Sequence, residues 1–296
     1  MKRMNKSTIK KQIEDLGLCS GDVVFVSSDL MRVGYYNSTP EQTMQDWMDI
    51  FQDVLGPDGT IVIPTYSPSV FRFIGRSEFV YTLDSISNSG SLANWYVKKS
   101  NDAIRSQHPA TSCIVLGKHA QEIVGKHGPD ATAYYPYSKV IELRGKNLML
   151  GTVDEKNCPM PFHYAQEVLG HTLTHPLSGF LETAYVNRKG QKTKYVVREI
   201  GGCTRGVHKT WGYHLAKHAV TMGQVGRSLS ALVDTKKSYD IMLSVLKNNS
   251  SLIRCDNKYC LSCYGRYRYN GVYVLPFYFK KVYRIFFALF KKMIFS

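Results

Sequence analysis

Gly21-Asp22-Val23-Val24-Phe25-Val26-Ser27-Ser28 sets the fold class. Four consecutive apolar residues behind a Gly-Asp turn and ahead of two serines describe a strand covered on both faces, as in sheets sandwiched between helices. Upstream, Ser7 is placed to cap a short helix carrying Ile9, Ile13 and Leu16, with Gly17 ending it. Downstream, Thr39-Pro40-Glu41-Gln42 is a capping box with proline at the first helical position, and Met44, Trp47, Met48, Phe51, Val54 and Leu55 recur at helical spacing. Gly56-Pro57-Asp58-Gly59 then turns the chain into the strand Thr60 to Pro64. The opening reads α-β-α-β.

The alternation continues. A helix is expected after Ser89-Gly90, a strand over 112–116, helices near His119 and Val140, a strand over 147–150 and a helix over 160–169. Residues 183–187 and 194–197, joined across Arg188-Lys189-Gly190, read as an antiparallel hairpin. Segments around 211–219, 228–234 and 239–246 read as helical. The expected architecture is α/β: a central, mostly parallel sheet flanked by helices, with an antiparallel hairpin insertion and a helical C-terminal region. The organisation is one domain over 1–250, a Cys-rich segment over 251–275 and a basic amphipathic helix over 276–296.

At 296 residues with 44% hydrophobic side chains the chain buries a substantial core, and its formal charge of +15 favours anionic partners. No aromatic RNA-binding strand motif or finger repeat is present, which argues against nucleic acid. Phosphorylated small molecules or lipids fit better. Met1 to Ser7 is basic but lacks the apolar stretch of a secretory signal, so a cytoplasmic location and reduced cysteines are expected. In the last twenty residues Lys280, Lys281, Arg284, Lys291 and Lys292 fall within an arc of roughly 120° on a helix, opposite an aromatic face. That pattern suits a helix lying on an anionic cytoplasmic leaflet, with cover for a core or subunit interface as the alternative.

Three places could carry chemistry. Ser27-Ser28-Asp29 ends the first strand, where open α/β sheets put ligand contacts, though a turn or helix cap reads the same. Arg105-Ser106-Gln107-His108-Pro109-Ala110-Thr111-Ser112 precedes a strand, where amides, hydroxyls and a guanidinium converge on oxygens; a histidine beside proline is more often structural. His163 opens a helix, where a neutral imidazole with a fixed tautomer can take a proton from a nucleophile.

In order and spacing these elements resemble the aminoglycoside 3-N-acetyltransferase family. Gly21-Asp22 through Ser28 to Gly34, Leu55-Gly56-Pro57-Asp58-Gly59-Thr60, Pro64-Thr65-Tyr66, Ser89-Gly90-x-Leu92-Ala93, Arg105-Ser106-x-His108-Pro109, Leu148-Met149-Leu150-Gly151 and His163-Tyr164-Ala165 follow the family's segments. The resemblance implies acetyl-CoA as cosubstrate, bound by Ser28, Met31, Arg32, Val33, Gly34, Arg105, Ser106, His108 and Ser112. It implies His163 as general base, with Glu199 as the carboxylate near substrate and base. A thioester is already activated, so transfer needs a deprotonated nucleophile and an oriented carbonyl, without a metal or covalent intermediate.

The sequence departs from the family at Ser27, where His is usual, at Gln166, where Glu is usual, and at Gly201, where a second carboxylate is common. With the positive charge, these departures favour a neutral or anionic sugar acceptor in cell-surface polysaccharide or glycolipid assembly, a nucleotide- or lipid-linked glycan, over a polycationic aminoglycoside. An aminoglycoside acceptor is the first alternative, and a catalytically inactive, zinc-clamped membrane scaffold the second. Cys260-x-x-Cys263 has metal-knuckle spacing, Cys255 lies beside it, and Cys203 resembles a cysteine of relatives that carry a late Cys-x-x-Cys pair. These four are the candidate ligands of a structural zinc, with His208 as a substitute ligand and metal-free thiols as the plain alternative.

Overall fold

The computed structural model describes residues 4–73, 77–99, 101–257 and 260–265, together with Phe279, Val282, Tyr283 and Phe287. The opening strand, β1 (Val23–Ser28), is buried on both faces because its side chains alternate between two apolar layers. Val24 and Val26 pack with Ile9 and Ile13 of α1 (Lys6–Asp15) and Trp47 and Phe51 of α3 (Pro40–Leu55). Val23 and Phe25 pack with Ile123 of α5 (Ala120–Val124) and Tyr137 and Val140 of α6 (Tyr135–Glu142). One strand thus serves two cores.

Local signals place the helix ends. Thr39 Oγ1 accepts from Gln42 N at 3.0 Å, with Pro40 in the first turn of α3 as its capping box requires. At α1 the cap is Asn5, whose Oδ1 accepts from Thr8 N at 2.8 Å, and Ser7 hydrogen-bonds that cap instead of being it.

β1 lies between β2 (Thr60–Pro64) and β7 (Lys146–Leu150), parallel to both, with Val24 opposite Ile61 and Phe25 opposite Asn147. Outside this trio the pairing turns antiparallel: β2 with β6 (Cys113–Gly117), β6 with the short β5 (Ile104–Arg105), and β7 with β11 (Ser228–Asp234), itself paired with β10 (Val220–Val225). The order is β10-β11-β7-β1-β2-β6-β5, so the sheet is mixed, with parallel pairing at its centre.

Residues 228–234, expected as helix, are β11. Gly226 takes φ +60° in the turn from β10, and Ala231, Leu232 and Val233 are buried against the sheet. The open edge of β7 supplies hydrogen-bond partners that outweigh the weak helical propensity of this stretch.

The hairpin expectation holds and extends. β8 (Leu181–Val186) and β9 (Lys192–Val197) pair with Thr183 opposite Tyr195, and β8 is joined by β3 (Val70–Phe71) and β4 (Val80–Tyr81) in a second, four-stranded sheet. α2 (Leu30–Val33), α4 (Ser91–Lys99), α7 (Pro161–Val168), α8 (Trp211–Ala216) and α9 (Thr235–Asn248) complete the regular elements discussed below. Among the described residues no helix is long and apolar enough to cross a membrane. Apart from four residues, the expected amphipathic helix over 276–296 lies outside the described residues.

Candidate active site

The carboxyl ends of β1, β2 and β7 point to one edge of the sheet, where α/β proteins bind ligands. Buried Asn147 on β7 fixes the start of α7 there: its Oδ1 accepts from Met160 N at 2.8 Å, while its Nδ2 donates to Phe25 O of β1 at 3.0 Å. His163, in the first turn of α7, therefore stands over the end of β1. It shares a cavity of about 230 Å³ with Ser27, Ser28, Tyr66, Tyr137, Asn157 and Cys158.

The imidazole is oriented on three sides. Gln166, one turn on and wholly buried, turns its Oε1 to His163 Nδ1 at 3.1 Å. The same oxygen accepts from Gly202 N at 2.9 Å, which fixes which end of the amide faces the ring. An amide oxygen can only accept, so Nδ1 carries the proton and Nε2 is the basic nitrogen. Tyr134 stacks on the ring at 5.4 Å between centroids and 16° between planes. Cys158 Sγ lies 3.7 Å from Nε2, and burial raises the pKa of that thiol. Gly201 packs so tightly on the Nδ1 edge that a Cβ there would lie 2.8 Å from Nδ1.

Glu199 does not orient the ring. Its Oε2 accepts from Ala133 N at 2.5 Å, beside Glu167, whose Oε2 accepts from Tyr134 N at 2.9 Å. Both carboxylates thus satisfy amide donors at the start of α6. Burial, aided by Glu199, pushes the Glu167 carboxyl up to about 7, and burial raises Glu199 as well. Glu199 lines a separate cavity of about 570 Å³ with Asp130, Thr132, Lys194, Tyr195 and Arg198. A third, of about 700 Å³, is lined by Asp84, Gln107, Lys126, Asp130, Arg188 and Lys189 among others.

The residues assigned to CoA divide. Ser28 lines the His163 cavity, and Met31, 91% exposed, and Arg32, paired with Asp29 at 3.2 Å and with Asp154, lie on the surface of α2 close by. Val33 is packed in the core, and Gly34 ends α2 with φ +72°.

The Arg105 to Ser112 segment is turned inward, against expectation. Arg105 donates to the carbonyls of Leu83, Ser85 and Thr65 and lies over the Tyr81 ring at 5.0 Å, so its guanidinium is used internally and not held out for phosphate. Ser106 Oγ accepts from Cys113 N at 3.0 Å, Ser112 Oγ donates to Thr65 O at 2.6 Å, and His108 Nδ1 accepts from Thr111 N at 3.0 Å. His108 stacks on His127 at 4.6 Å, and burial depresses the two imidazoles to about 3 and about 2. These side chains are used within the fold, while Gln107 of the same segment lines the 700 Å³ cavity. Asn157 and Cys158 went unnoticed in the sequence, although the loop after β7 leads from the ligand edge into α7.

The Sγ atoms of Cys203, Cys255, Cys260 and Cys263 all lie within 4.8 Å of one another. Cys255 and Cys263 are 3.7 Å apart, and Cys255 N donates to Cys263 Sγ at 3.5 Å. His208 is not among these ligand-forming groups; its Nδ1 faces Arg205 O at 2.9 Å.

A helix-flanked mixed sheet with an oriented imidazole at its ligand edge defines an α/β protein equipped for proton transfer. Residues 25–247 match the aminoglycoside 3-N-acetyltransferase family, and the chain belongs to it. Among curated proteins it is 25% identical over 169 residues to aminoglycoside N(3)-acetyltransferase VIII of Streptomyces fradiae, covering 50% of this chain and 56% of that one. It is 28% identical over 181 residues to aminoglycoside N(3)-acetyltransferase IX of Micromonospora chalcea, covering 50% and 57%. The matches therefore span little more than half the length of these relatives. The fold is that of aminoglycoside acetyltransferase AAC(3)-IVa (TM-score 0.71, 19% identity, 89% of this chain and 96% of that one). It is also that of AAC-IIIb, solved as a binary complex with CoASH (TM-score 0.63, 19% identity, 82% and 96%).

Proposed function

We propose that the protein transfers the acetyl group of acetyl-CoA to an amine of an aminoglycoside-type aminosugar, with His163 as general base. The observation that carries this reading is the His163–Gln166 pair in the cavity at the end of β1. With Nδ1 held protonated by Gln166, Nε2 takes the proton of the acceptor amine as it attacks the thioester carbonyl; the electron pair of the carbon–sulfur bond leaves with CoA. A neutral Gln166 supports this proton transfer by fixing the tautomer, without stabilising the imidazolium as a carboxylate would.

The acceptor assignment replaces the surface-glycan expectation. That expectation rests on net charge and on the departures at Ser27, Gln166 and Gly201, whereas the relatives are named for aminoglycosides. An anionic sugar acceptor stands as a second reading on one observation, the Lys126, Arg188 and Lys189 lining of the 700 Å³ cavity.

A thiol-release assay with acetyl-CoA and a panel of aminoglycosides tests the proposal. Turnover is expected, and His163→Ala should reduce it by about two to four orders of magnitude while calorimetry finds acetyl-CoA affinity nearly unchanged. Full turnover in that variant would remove His163 from the mechanism; binding without turnover on any aminoglycoside would move the acceptor to the second reading.

We further propose that the four clustered cysteines hold a structural zinc. Zn–S bonds of about 2.3 Å imply tetrahedron edges of about 3.8 Å, which the Cys255–Cys263 separation of 3.7 Å fits. Native mass spectrometry should find one zinc, lost in Cys260→Ser.

The terminal segment is proposed to rest on an anionic cytoplasmic membrane surface, because its five cations share one helical face in sequence. Equal vesicle binding with and without residues 276–296 would end that reading.

A further inference from the structure

We infer that the cysteine cluster is a positioning device for the catalytic base, acting through the two glycines that precede Cys203. The inference rests on His163 as base and on zinc at the cluster. Ile200-Gly201-Gly202-Cys203-Thr204 carries no regular secondary structure, yet it supplies two contacts that orient the imidazole. Gly202 N–H fixes the Gln166 amide, and Gly201 lies against His163 and Tyr134, where a Cβ would sit 2.8 Å from Nδ1 and 2.5 Å from the tyrosine hydroxyl.

Paired glycines carry the largest backbone entropy of any dipeptide, so holding them in one conformation needs ties close by. Ile200 N bonds Thr172 O at 3.2 Å on one side. On the other, the Thr204 hydroxyl bonds Lys156 O, and Cys203 joins the sulfur cluster one residue beyond Gly202. Three of the four sulfurs come from residues 255–263, so the cluster ties this loop to a distant part of the chain. Gly206 lies against the same distant segment, where a Cβ would come within 2.2 Å of Ile253 O.

Metal at the four thiolates fixes Cys203, Cys203 fixes Gly202, and Gly202 keeps the Gln166 oxygen towards Nδ1. Without the metal the glycine segment gains freedom, the Gln166 oxygen is less firmly held towards Nδ1, and His163 divides between tautomers and orientations. The effect falls on kcat, since these ties act on the orientation of the imidazole that moves the proton.

The test compares the zinc-loaded full-length protein, the same protein after chelation, and the chelated protein with zinc restored. Hydrogen exchange, which needs no substrate, should accelerate on chelation at residues 199–206 and in the first turn of α7 as well as at 252–263, and zinc should reverse it. With an accepted acceptor, chelation should lower kcat about ten- to a hundredfold while acetyl-CoA affinity changes less than about threefold. Gly201→Ala should lower kcat comparably while native mass spectrometry still finds the zinc. Acceleration confined to 252–263, or kcat unchanged on chelation, would overturn the inference while leaving the acetyltransferase and zinc readings standing. Absence of zinc binding overturns it together with the zinc reading; failure of every acceptor while the exchange pattern holds overturns the acetyltransferase reading and leaves the mechanical coupling established.

Discussion

His163 was legible in the sequence as a histidine in the first turn of a helix, but its partner was not. The expected carboxylate, Glu199, bonds Ala133 N instead, and the ring is oriented by Gln166, a residue that counted in the sequence as a loss. Helical spacing puts residue 166 on the His163 face, whereas Gly202, which fixes its amide, comes from a loop that no local pattern links to α7. Glu167 has a consequence for stability. Its carboxyl is raised from an unfolded value of 4.5 to about 7, so folding favours the protonated form. That contribution is complete below pH about 4.5 and is lost as pH rises through about 7. Glu167→Gln keeps an oxygen for Tyr134 N and carries no charge, so it should be more stable than the parent at pH 8 by on the order of 2 kcal/mol after screening, and nearly equal to it at pH 4. Urea midpoints at the two pH values check this; an equal difference at both would mean that Glu167 does not titrate as described.

At the scale of elements, strands with continuous apolar runs were readable and strands made by tertiary pairing were not. β1 and β2 announce themselves because both faces are buried, which needs no knowledge of partners. β11 is a strand because β7 offers it an edge, and β5 contributes two residues set by pairing with β6. The same blindness explains Arg105. Its place before a strand suggests a ligand loop, while the fold wraps residues 83–85 and the end of β2 around its guanidinium. Burial lowers its pKa, yet the carbonyls and the Tyr81 ring hold the charge in place. Arg105→Ala would leave these carbonyls without their donors and should cost about 3 kcal/mol of stability. Thermal unfolding together with calorimetry on the folded protein separates the roles: a lower Tm with unchanged acetyl-CoA affinity is expected, and lost affinity at normal stability would return Arg105 to the ligand site.

For the whole molecule, the excess of cations opposes the proposed aminoglycoside acceptor, and ionic strength measures which influence governs encounter. With a formal charge of +15, a polycationic acceptor approaches against long-range repulsion, while any carboxylates at the acceptor site act only at close range. Salt shortens the screening length from about 30 Å at 0.01 M to about 8 Å at 0.15 M, which removes the distant repulsion before it weakens contacts inside the cavity. For an aminoglycoside acceptor, kcat/KM should therefore rise several-fold between these salt concentrations, with kcat nearly constant because the chemical step lies within the site. An anionic sugar acceptor would show the opposite slope, since the same field attracts it. Acetyl-CoA is itself an anion, so the measurement is made with it saturating, and only the acceptor concentration is varied. A fall in kcat/KM for the aminoglycoside would mean that carboxylates close to the bound acceptor outweigh the global field.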